Sequence, residues 1–265
     1  ASLGRQLYYD YRLSGAGSRS CYHCHLVKYG LTDGLTTAIG AFEKPLTRSS
    51  PTMWNIGYHH TWYWDGRANS LEAQAKAAWK GGNMGAKDTE SVLAAINAIP
   101  GYARQFDDVF GEPANEENVP AALATYMRTI ISNDTAWDRA QAGDDRAMNS
   151  QQKRGWETFQ RIGCTECHKG VLFTDLQYHN VGIGMDAEEP DLGRYKVTKL
   201  DQDRGAFKTP TLRDITKSAP YFHNGSVATL REAVQLMAGR GLDNPWLSAK
   251  LQELEEYELT DDELD

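Results

Sequence analysis

Two short segments of the chain carry closely spaced thiols and imidazoles. Residues 21–25 read CYHCH and residues 164–168 read CTECH, and all four cysteines of the 265-residue chain fall within them. The side chains concerned are Cys21, Cys24 and His25 in the first segment and Cys164, Cys167 and His168 in the second. On a helical turn, residues i, i+3 and i+4 share a face. Each segment is therefore expected to present two thiols and an imidazole together.

The spacing Cys-x-x-Cys-His is the attachment pattern of c-type haem. The thiols bind the two vinyl groups of one porphyrin, and the histidine ligates its iron. A CxxC pair alone also fits half of a zinc site, a redox pair or a disulfide. However, the two pairs lie 143 residues apart (164 − 21), which is too far for a zinc ribbon, and disulfides leave both histidines unexplained. The sequence predicts two covalently bound haem c groups.

Composition and charge limit the classes of partner and the cellular location that we expect. The net charge of −8 and the absence of a basic stripe argue against nucleic acid as a partner. No apolar run approaches the roughly 18 residues of a membrane span. Haem is attached to apocytochromes outside the bacterial cytoplasm, so we expect a periplasmic, exported protein in its mature form, without its signal peptide.

Helices and long loops are expected to position the two motifs. Apolar periodicity and end signals predict helices at about 70–80, two within 88–111 that are interrupted at Pro100, and another within 118–144. Ser150 is the expected N-cap of the helix that leads to the second motif. A further helix is expected within 228–241, and Thr260 with Glu263 forms a capping box near the end.

The expected fold class is mainly α, with two cytochrome-c-like haem domains, long irregular loops and little β structure. We place an N-terminal haem domain at 1–145 and a C-terminal one at 146–265. The stretch from about 171 to 220 is rich in Gly, Asp and Pro, and irregular segments of this length are commonly functional. Beyond the CxxCH motifs, the two halves show no convincing repeat in sequence.

With both haem motifs placed, the chain resembles the bacterial di-haem cytochrome c peroxidase and MauG family over nearly its whole length. The stretches that carry the resemblance are CYHCH, SSPTMWNIGYHHTWYWDGRANSLEAQA, GCTECHKG and DRGAFKTPTLRDITKSAPYFHNGSVATLREAV, with the Met that follows. The resemblance implies a low-potential first haem that reacts with peroxide. It implies a high-potential second haem that transfers electrons.

The resemblance also assigns roles to single residues. Met237 is the implied sixth ligand of the second haem iron, with Met185 and Met84 as rivals, and a thioether raises the potential of that iron. Trp64 is implied to relay electrons between the haems. Arg67, Arg213 and His223 are implied partners of the haem propionates, and His223 can instead hold its loop. A calcium ion is implied at Ser49, Ser218 and Pro220, where serine replaces the usual asparagine ligand.

Two positions depart from the family pattern. Reductively activated peroxidases carry a distal histidine sixteen residues after the proximal one, and counting from His25 leads to Ala41. We therefore expect an open first iron, since His59 and His60, the nearby alternatives, lie in another register.

The usual distal glutamate is also replaced, by Asn83 or Met84, while Gln74 keeps its place. Glu72 and Glu43 are the possible substitutes for that glutamate, although the helix phase of Glu72 does not favour it.

Three functions follow from these patterns. The leading one is a hydrogen-peroxide-dependent di-haem oxidoreductase, which takes electrons from a small cytochrome c or cupredoxin. The alternative is a MauG-like or MbnH-like enzyme that oxidises a Tyr or Trp of a partner protein. The third is an electron-transfer cytochrome without catalysis, in which both irons are six-coordinate. The resemblance also allows a homodimer.

Overall fold

The computed structural model of the protein describes residues 1–264. Its α-helices are α1 (Ser2–Tyr9), α2 (Leu71–Lys80), α3 (Thr89–Asn97), α4 (Pro100–Phe110), α5 (Asn118–Met127), α6 (Ala136–Gln141), α7 (Ser150–Arg161), α8 (Tyr195–Thr198), α9 (Leu230–Ala238), α10 (Ala249–Glu253) and α11 (Asp261–Leu264). Two short strands, β1 (Tyr178–His179) and β2 (Phe207–Lys208), pair antiparallel. The prediction of a mainly α fold with long irregular loops and little β structure is confirmed. No helix within residues 1–264 has the length and apolar character to cross a membrane.

Contacts between Cα atoms group the chain into two compact units. The first contains residues 1–63 and 67–130, and the second contains residues 64–66 and the chain from Ile131 onward. Helix α6 therefore groups with the second unit, whereas the sequence pattern assigned it to the N-terminal half. The boundary between two haem domains at residue 145 stays a prediction.

The first unit is built on α1, α2 and α5. Leu7, Leu71 and Leu123 are at most 1% exposed and share one apolar core with Trp79, whose Nε1 donates to Leu13 O at 2.7 Å. Gly4 allows α1 and α5 to approach closely, because a Cβ at this position would lie 1.8 Å from the carbonyl oxygen of Ala122. Burial of this core is the main source of the unit's stability.

An aromatic cluster marks the second unit. Trp137 from α6 contacts Phe173 at 4.7 Å and Trp156 from α7 at 6.0 Å, measured between ring centroids. Helix α7 begins with Asn149 as its N-cap, since Asn149 Oδ1 accepts from Gln152 N at 2.8 Å. The prediction of Ser150 as the cap is therefore wrong by one residue, because Asn149 and Gln152 form a capping box at that register.

The two units share a repeated segment, so the expectation of no repeat beyond CxxCH is wrong. Residues 51–71 match residues 210–230 at a constant separation of 159 (210 − 51). Paired positions have the same backbone: left-handed Asn55 and Asp214, left-handed Tyr63 and Phe222, and left-handed Gly66 and Gly225. Helices α2 and α9 then begin at equivalent residues, Leu71 and Leu230. Only five of the 21 paired positions carry the same residue, which hides the repeat in the sequence.

Candidate haem and peroxide sites

Both CxxCH motifs begin on a single 3₁₀ turn, at Cys21–His23 and at Cys164–Glu166. The amide of Cys24 donates to Cys21 O at 3.3 Å, and the amide of Cys167 donates to Cys164 O at 3.3 Å. In this geometry residues i and i+3 are eclipsed, so both thiols of a pair lie on one side of the turn. The predicted helical turn is thus present in each motif.

The four thiols are free, so the disulfide alternative is excluded. Burial raises the pKa of Cys21 to about 12 and the pKa values of Cys24 and Cys164 to about 11. Cysteines of redox pairs and metal sites have the opposite property, a lowered thiol pKa. The thiol environment is therefore not that of a redox pair, whereas covalent attachment to vinyl groups fits it.

A backbone carbonyl orients each histidine that follows the thiols. His25 Nδ1 donates to Leu31 O at 2.9 Å, and His168 Nδ1 donates to Phe173 O at 3.0 Å. Because a carbonyl can only accept, Nδ1 carries the proton and Nε2 is left with its lone pair for a metal. Burial lowers the pKa of both histidines, which favours the neutral imidazole that ligates iron.

The loops that supply these carbonyls are built alike in the two units. Leu31 and Phe173 both adopt left-handed backbone, with φ of 63° and 51°. One residue earlier, Gly30 O accepts from Thr52 Oγ1 at 2.7 Å, and Leu172 O accepts from Thr211 Oγ1 at 2.5 Å. Sequence reasoning missed these two threonines, although each follows a proline in a Pro-Thr pair.

The thiol pairs and oriented imidazoles fit covalent haem in both units. Cys21 and Cys24 would hold the first haem, with His25 as its iron ligand. The second would be held in the same way by Cys164, Cys167 and His168.

The structure brings together two segments that the resemblance assigns to the peroxide side of the first haem. The amide of Ala41 donates to Gly82 O at 2.9 Å and to Asn83 O at 3.1 Å, and Ala41 is 2% exposed. A Cβ added at Gly85 would lie 2.7 Å from the Ala41 Cβ. Met84 Sδ lies 3.9 Å from Cys21 Sγ. Met84 therefore packs beside the first haem motif.

The carboxylates weighed as replacements for the distal glutamate are held in ion pairs. Glu72 accepts from both terminal nitrogens of Arg128, at 2.7 and 3.1 Å, and this hydrogen bonding lowers its pKa. Glu43 pairs with Arg19 at 2.7 Å. The backbone oxygen of Gln74 accepts from the Tyr63 hydroxyl at 3.2 Å. Gln74 lies in α2, which ends at the glycine-rich loop opposite Ala41.

The segment around Trp64 is attached to the second unit. Lys208 N, in β2, donates to Trp64 O at 2.8 Å. Arg194 Nη1 donates to the carbonyl oxygens of Asp65 and Gly66, at 2.9 and 3.0 Å. The relay role of Trp64 stays a prediction.

The other predicted residues of the second haem lie in this unit, and their roles also stay predictions. Met237 occupies the last turn of α9 and is half-buried. Met185 packs on Gly205, since a Cβ added at Gly205 would lie 2.3 Å from the Sδ of Met185. The ring of His223 stacks on Phe207 at 3.5 Å.

The two predicted arginines contact protein groups. The Arg67 guanidinium lies over the Tyr63 ring, 3.5 Å from its centroid. Arg213 donates twice to Asp138, at 2.9 and 2.6 Å, and its Nε donates to Val171 O at 2.6 Å. Their pairing with haem propionates stays a prediction. The same holds for calcium at Ser49 in the first unit and Ser218 and Pro220 in the second.

One group of potential metal ligands occurs within residues 1–264, formed by Cys167, Asp175 and His179. Asp175 Oδ2 lies 2.9 Å from His179 Nε2. Burial of His179 lowers its pKa, but the hydrogen bonds and charge interactions with Asp175 and Cys167 together outweigh this effect and raise the pKa to about 9. Since haem attachment consumes the Cys167 thiol, the remaining Asp175–His179 ion pair is structural and lies beside the second motif.

Known proteins share both the sequence and the fold. The family model of the di-haem cytochrome c peroxidases matches residues 1–146. The methylamine utilization protein MauG of Methylorubrum extorquens is 38% identical over 259 residues, covering 96% of this chain and 72% of that protein. The cytochrome-c peroxidase IdrP1 of Denitromonas iodatirespirans is 36% identical over 285 residues, covering 96% and 76%.

The crystal structure of a MauG-like protein associated with microbial copper homeostasis superposes with a TM-score of 0.89. It is 29% identical, and the match covers 99% of this chain and 85% of that one. The chain belongs to the di-haem cytochrome c peroxidase and MauG family, whose members are peroxide-dependent oxidoreductases with two haem c groups.

Proposed function

We propose that the protein reduces hydrogen peroxide at an open iron of the haem bound by Cys21, Cys24 and His25. The observation that supports this most directly is Ala41, which stands where reductively activated relatives carry a histidine ligand. A methyl group cannot ligate iron. Hydrogen bonds to Gly82 O and Asn83 O hold the backbone of Ala41 in place, so residue 41 supplies no ligand to the iron.

His25 and Gln74 have separate roles in this reduction of peroxide. Haem, when bound, supplies the iron at which the O–O bond is cleaved. His25, oriented by Leu31 O, provides a neutral and basic ligand from the proximal side. The Gln74 amide orients peroxide by hydrogen bonding but cannot exchange protons at neutral pH, so solvent supplies the two protons that the formation of two waters consumes.

The two electrons come through the second unit in this scheme. Met237 would ligate the second iron, and its thioether would raise the potential of that haem, which suits a haem that stores an electron. Trp64 relays electrons onward, and a small cytochrome c or cupredoxin in the periplasm is the donor. Arg67, Arg213 and His223 balance propionate charge.

A second candidate is oxidation of a Tyr or Trp side chain in a partner protein. Similarity favours it, because the MauG of Methylorubrum extorquens and the MauG-like crystal structure both match almost the whole chain. That MauG-like protein is associated with microbial copper homeostasis, so a protein of copper homeostasis is one partner that this second function would allow.

Two measurements on the diferric holoenzyme test these functions. Electron paramagnetic resonance should give a high-spin signal from the first iron. Stoichiometric peroxide should then change the haem absorption. Rapid turnover with reduced cytochrome c supports the peroxidase, whereas a long-lived oxidised state that decays only with a cognate protein supports the second candidate. Two low-spin irons that bind neither cyanide nor peroxide would overturn both and leave an electron-transfer cytochrome.

A further inference from the structure

Four tyrosines of the first unit form a continuous ring cluster. Tyr8 and Tyr9 belong to α1, Tyr126 belongs to α5, and Tyr22 lies inside the first CxxCH motif. The ring centroids of Tyr8 lie 5.2 Å from those of Tyr9 and Tyr126, and Tyr9 lies 4.8 Å from Tyr22. Each ring is therefore in contact with the next.

Two members of this tyrosine cluster, Tyr22 and Tyr8, touch the haem motif. Tyr22 is the residue between Cys21 and His23, and the buried Tyr8 hydroxyl donates to His25 O at 3.4 Å. The same hydroxyl lies 3.4 Å from Met53 Sδ. Tyr8 is 1% exposed, so its phenol lies deep beside the peptide that carries the iron ligand.

Tyr9, which contacts both Tyr8 and Tyr22, reaches solvent. Tyr9 is 38% exposed, although Tyr8, its neighbour in the chain, is fully buried. The Arg5 guanidinium lies 5.9 Å from the Tyr9 ring. The cluster thus connects the first haem motif with the protein surface through aromatic contacts alone.

The phenols have the chemistry of an electron path. A tyrosine that gives up one electron also gives up its phenolic proton, provided that the phenol is protonated beforehand. The Tyr8 phenol carries its proton, because its hydroxyl donates to His25 O. Burial raises the pKa of Tyr9, so its phenol is also protonated at neutral pH. Solvent at Tyr9, which is 38% exposed, can receive the released proton.

We propose that Tyr22 and Tyr8 carry electrons between the first haem and Tyr9, with Tyr126 packed beside Tyr8, and that Tyr9 is where an external phenol or indole side chain is oxidised. The path rests on the proposed function, which supplies the oxidant. For each electron, the external group loses one electron and one proton, and the Tyr9 radical regains its neutral phenol. Two such electrons and two protons convert one peroxide into two waters.

Without a donor, the radical should remain on the protein. When two molecules meet, two neutral Tyr9 radicals can couple through a carbon–carbon bond. The ring hydrogen at each bonded carbon then moves to the phenol oxygen, which gives dityrosine with no net release of protons. A cluster that serves packing alone would form neither the tyrosyl radical nor dityrosine at Tyr9. Replacing Tyr9 with phenylalanine would then change neither measurement.

The test mixes diferric holoenzyme with one equivalent of hydrogen peroxide and no donor. Haem absorption, freeze-quenched electron paramagnetic resonance and peptide mass spectrometry are recorded for the wild type, Tyr9→Phe, Tyr8→Phe and Tyr58→Phe. Tyr58 is the matched control, being 59% exposed and outside the tyrosine cluster. The wild type and Tyr58→Phe should give a tyrosyl radical and dityrosine at Tyr9. Tyr9→Phe should lose the dityrosine, and Tyr8→Phe should lose radical amplitude.

The haem absorption separates the two ways of failing. If the haem bands respond to peroxide but Tyr9→Phe keeps the same radical and cross-link as the wild type, the path is wrong and the proposed function stands. If the haem bands of the wild type do not respond, the proposed function fails and the path loses its oxidant. Tyr9→Phe alone decides the matter if Tyr8→Phe does not fold, because Tyr9 is the exposed member.

Discussion

Thr52 and Thr211 make the same hydrogen bond in two different units. The Thr52 hydroxyl donates to Gly30 O at 2.7 Å and the Thr211 hydroxyl donates to Leu172 O at 2.5 Å. Leu31, which follows Gly30, accepts from His25 Nδ1. Phe173, which follows Leu172, accepts from His168 Nδ1 in the same way. The threonines therefore hold the loops that orient the iron ligands.

Replacing one threonine should shift the potential of one haem. Thr52→Val loosens the loop at Leu31 and weakens the hydrogen bond that makes His25 a more basic ligand, so the ferric state loses stabilisation and the potential rises. Loss of the hydroxyl should also lower the free energy of unfolding by about 1 kcal/mol. Spectroelectrochemical titration should show the shift in the first haem for Thr52→Val and in the second for Thr211→Val.

Serine provides the control for these variants. Thr52→Ser keeps the hydroxyl and should keep the wild-type potential. Equal shifts of both haems in either valine variant would contradict local control by the threonine.

A histidine at residue 41 should close the first iron. Ala41→His places an imidazole where reductively activated relatives have one, so the diferric protein should lose its high-spin signal and its direct reaction with peroxide. Reduction of the second haem should not be affected. Ala41→Val adds bulk without a ligand and should keep the high-spin signal; a high-spin signal retained in Ala41→His would show that residue 41 does not face the iron.

Met237 should set the potential of the second haem. In Met237→His an imidazole replaces the thioether, which stabilises the ferric state and lowers the potential. Redox titration of the second haem should show a clear fall. Met185→Leu should leave the potential unchanged, and the opposite pattern would transfer the ligand role to Met185.

Asp138→Asn should destabilise the second unit in a pH-dependent way. The hydrogen bonds from Arg213, whose side chain is 5% exposed, hold the pKa of Asp138 well below its usual range. The folded pKa lies below the unfolded value, so the pair stabilises the fold above about pH 4 and loses this contribution as the pH falls further. Removing the carboxylate should cost about 3 kcal/mol at pH 7, because it leaves a buried cation.

Denaturant unfolding at pH 7 and pH 3 measures this effect, and the gap between variant and wild type should narrow at pH 3. Asp134→Asn is the control, since the Asp134–Arg139 pair is exposed and should contribute less. A negligible effect of Asp138→Asn in the holoprotein would indicate that Arg213 has turned to a propionate.

The sequence was sufficient to predict the family, the fold class and most helix starts. CxxCH motifs and helix end signals are local. The helix predicted at about 70–80 is present as α2, and the first helix predicted within 88–111 is present as α3. The capping box of Thr260 and Glu263 is likewise formed at α11.

The repeat and the loops that orient the histidines could not be predicted from the sequence, because both depend on backbone conformation. The repeat of 51–71 in 210–230 persists in left-handed positions such as Asn55 and Asp214, while the side chains around them have changed. Leu31 and Phe173 contribute carbonyl oxygens, which every residue type possesses, so residue identity carries no signal of their role. Only the recurrence of Pro-Thr in both halves could have indicated the loops they belong to.

The loop that orients the iron-ligating histidine occurs in both units, so the potential of one haem can serve as an internal reference for the other. A change of buffer, ionic strength or temperature acts on both units, whereas a substitution in one loop alters only that unit. The difference between the two potentials, measured within a single sample, therefore isolates the substitution without a second protein preparation.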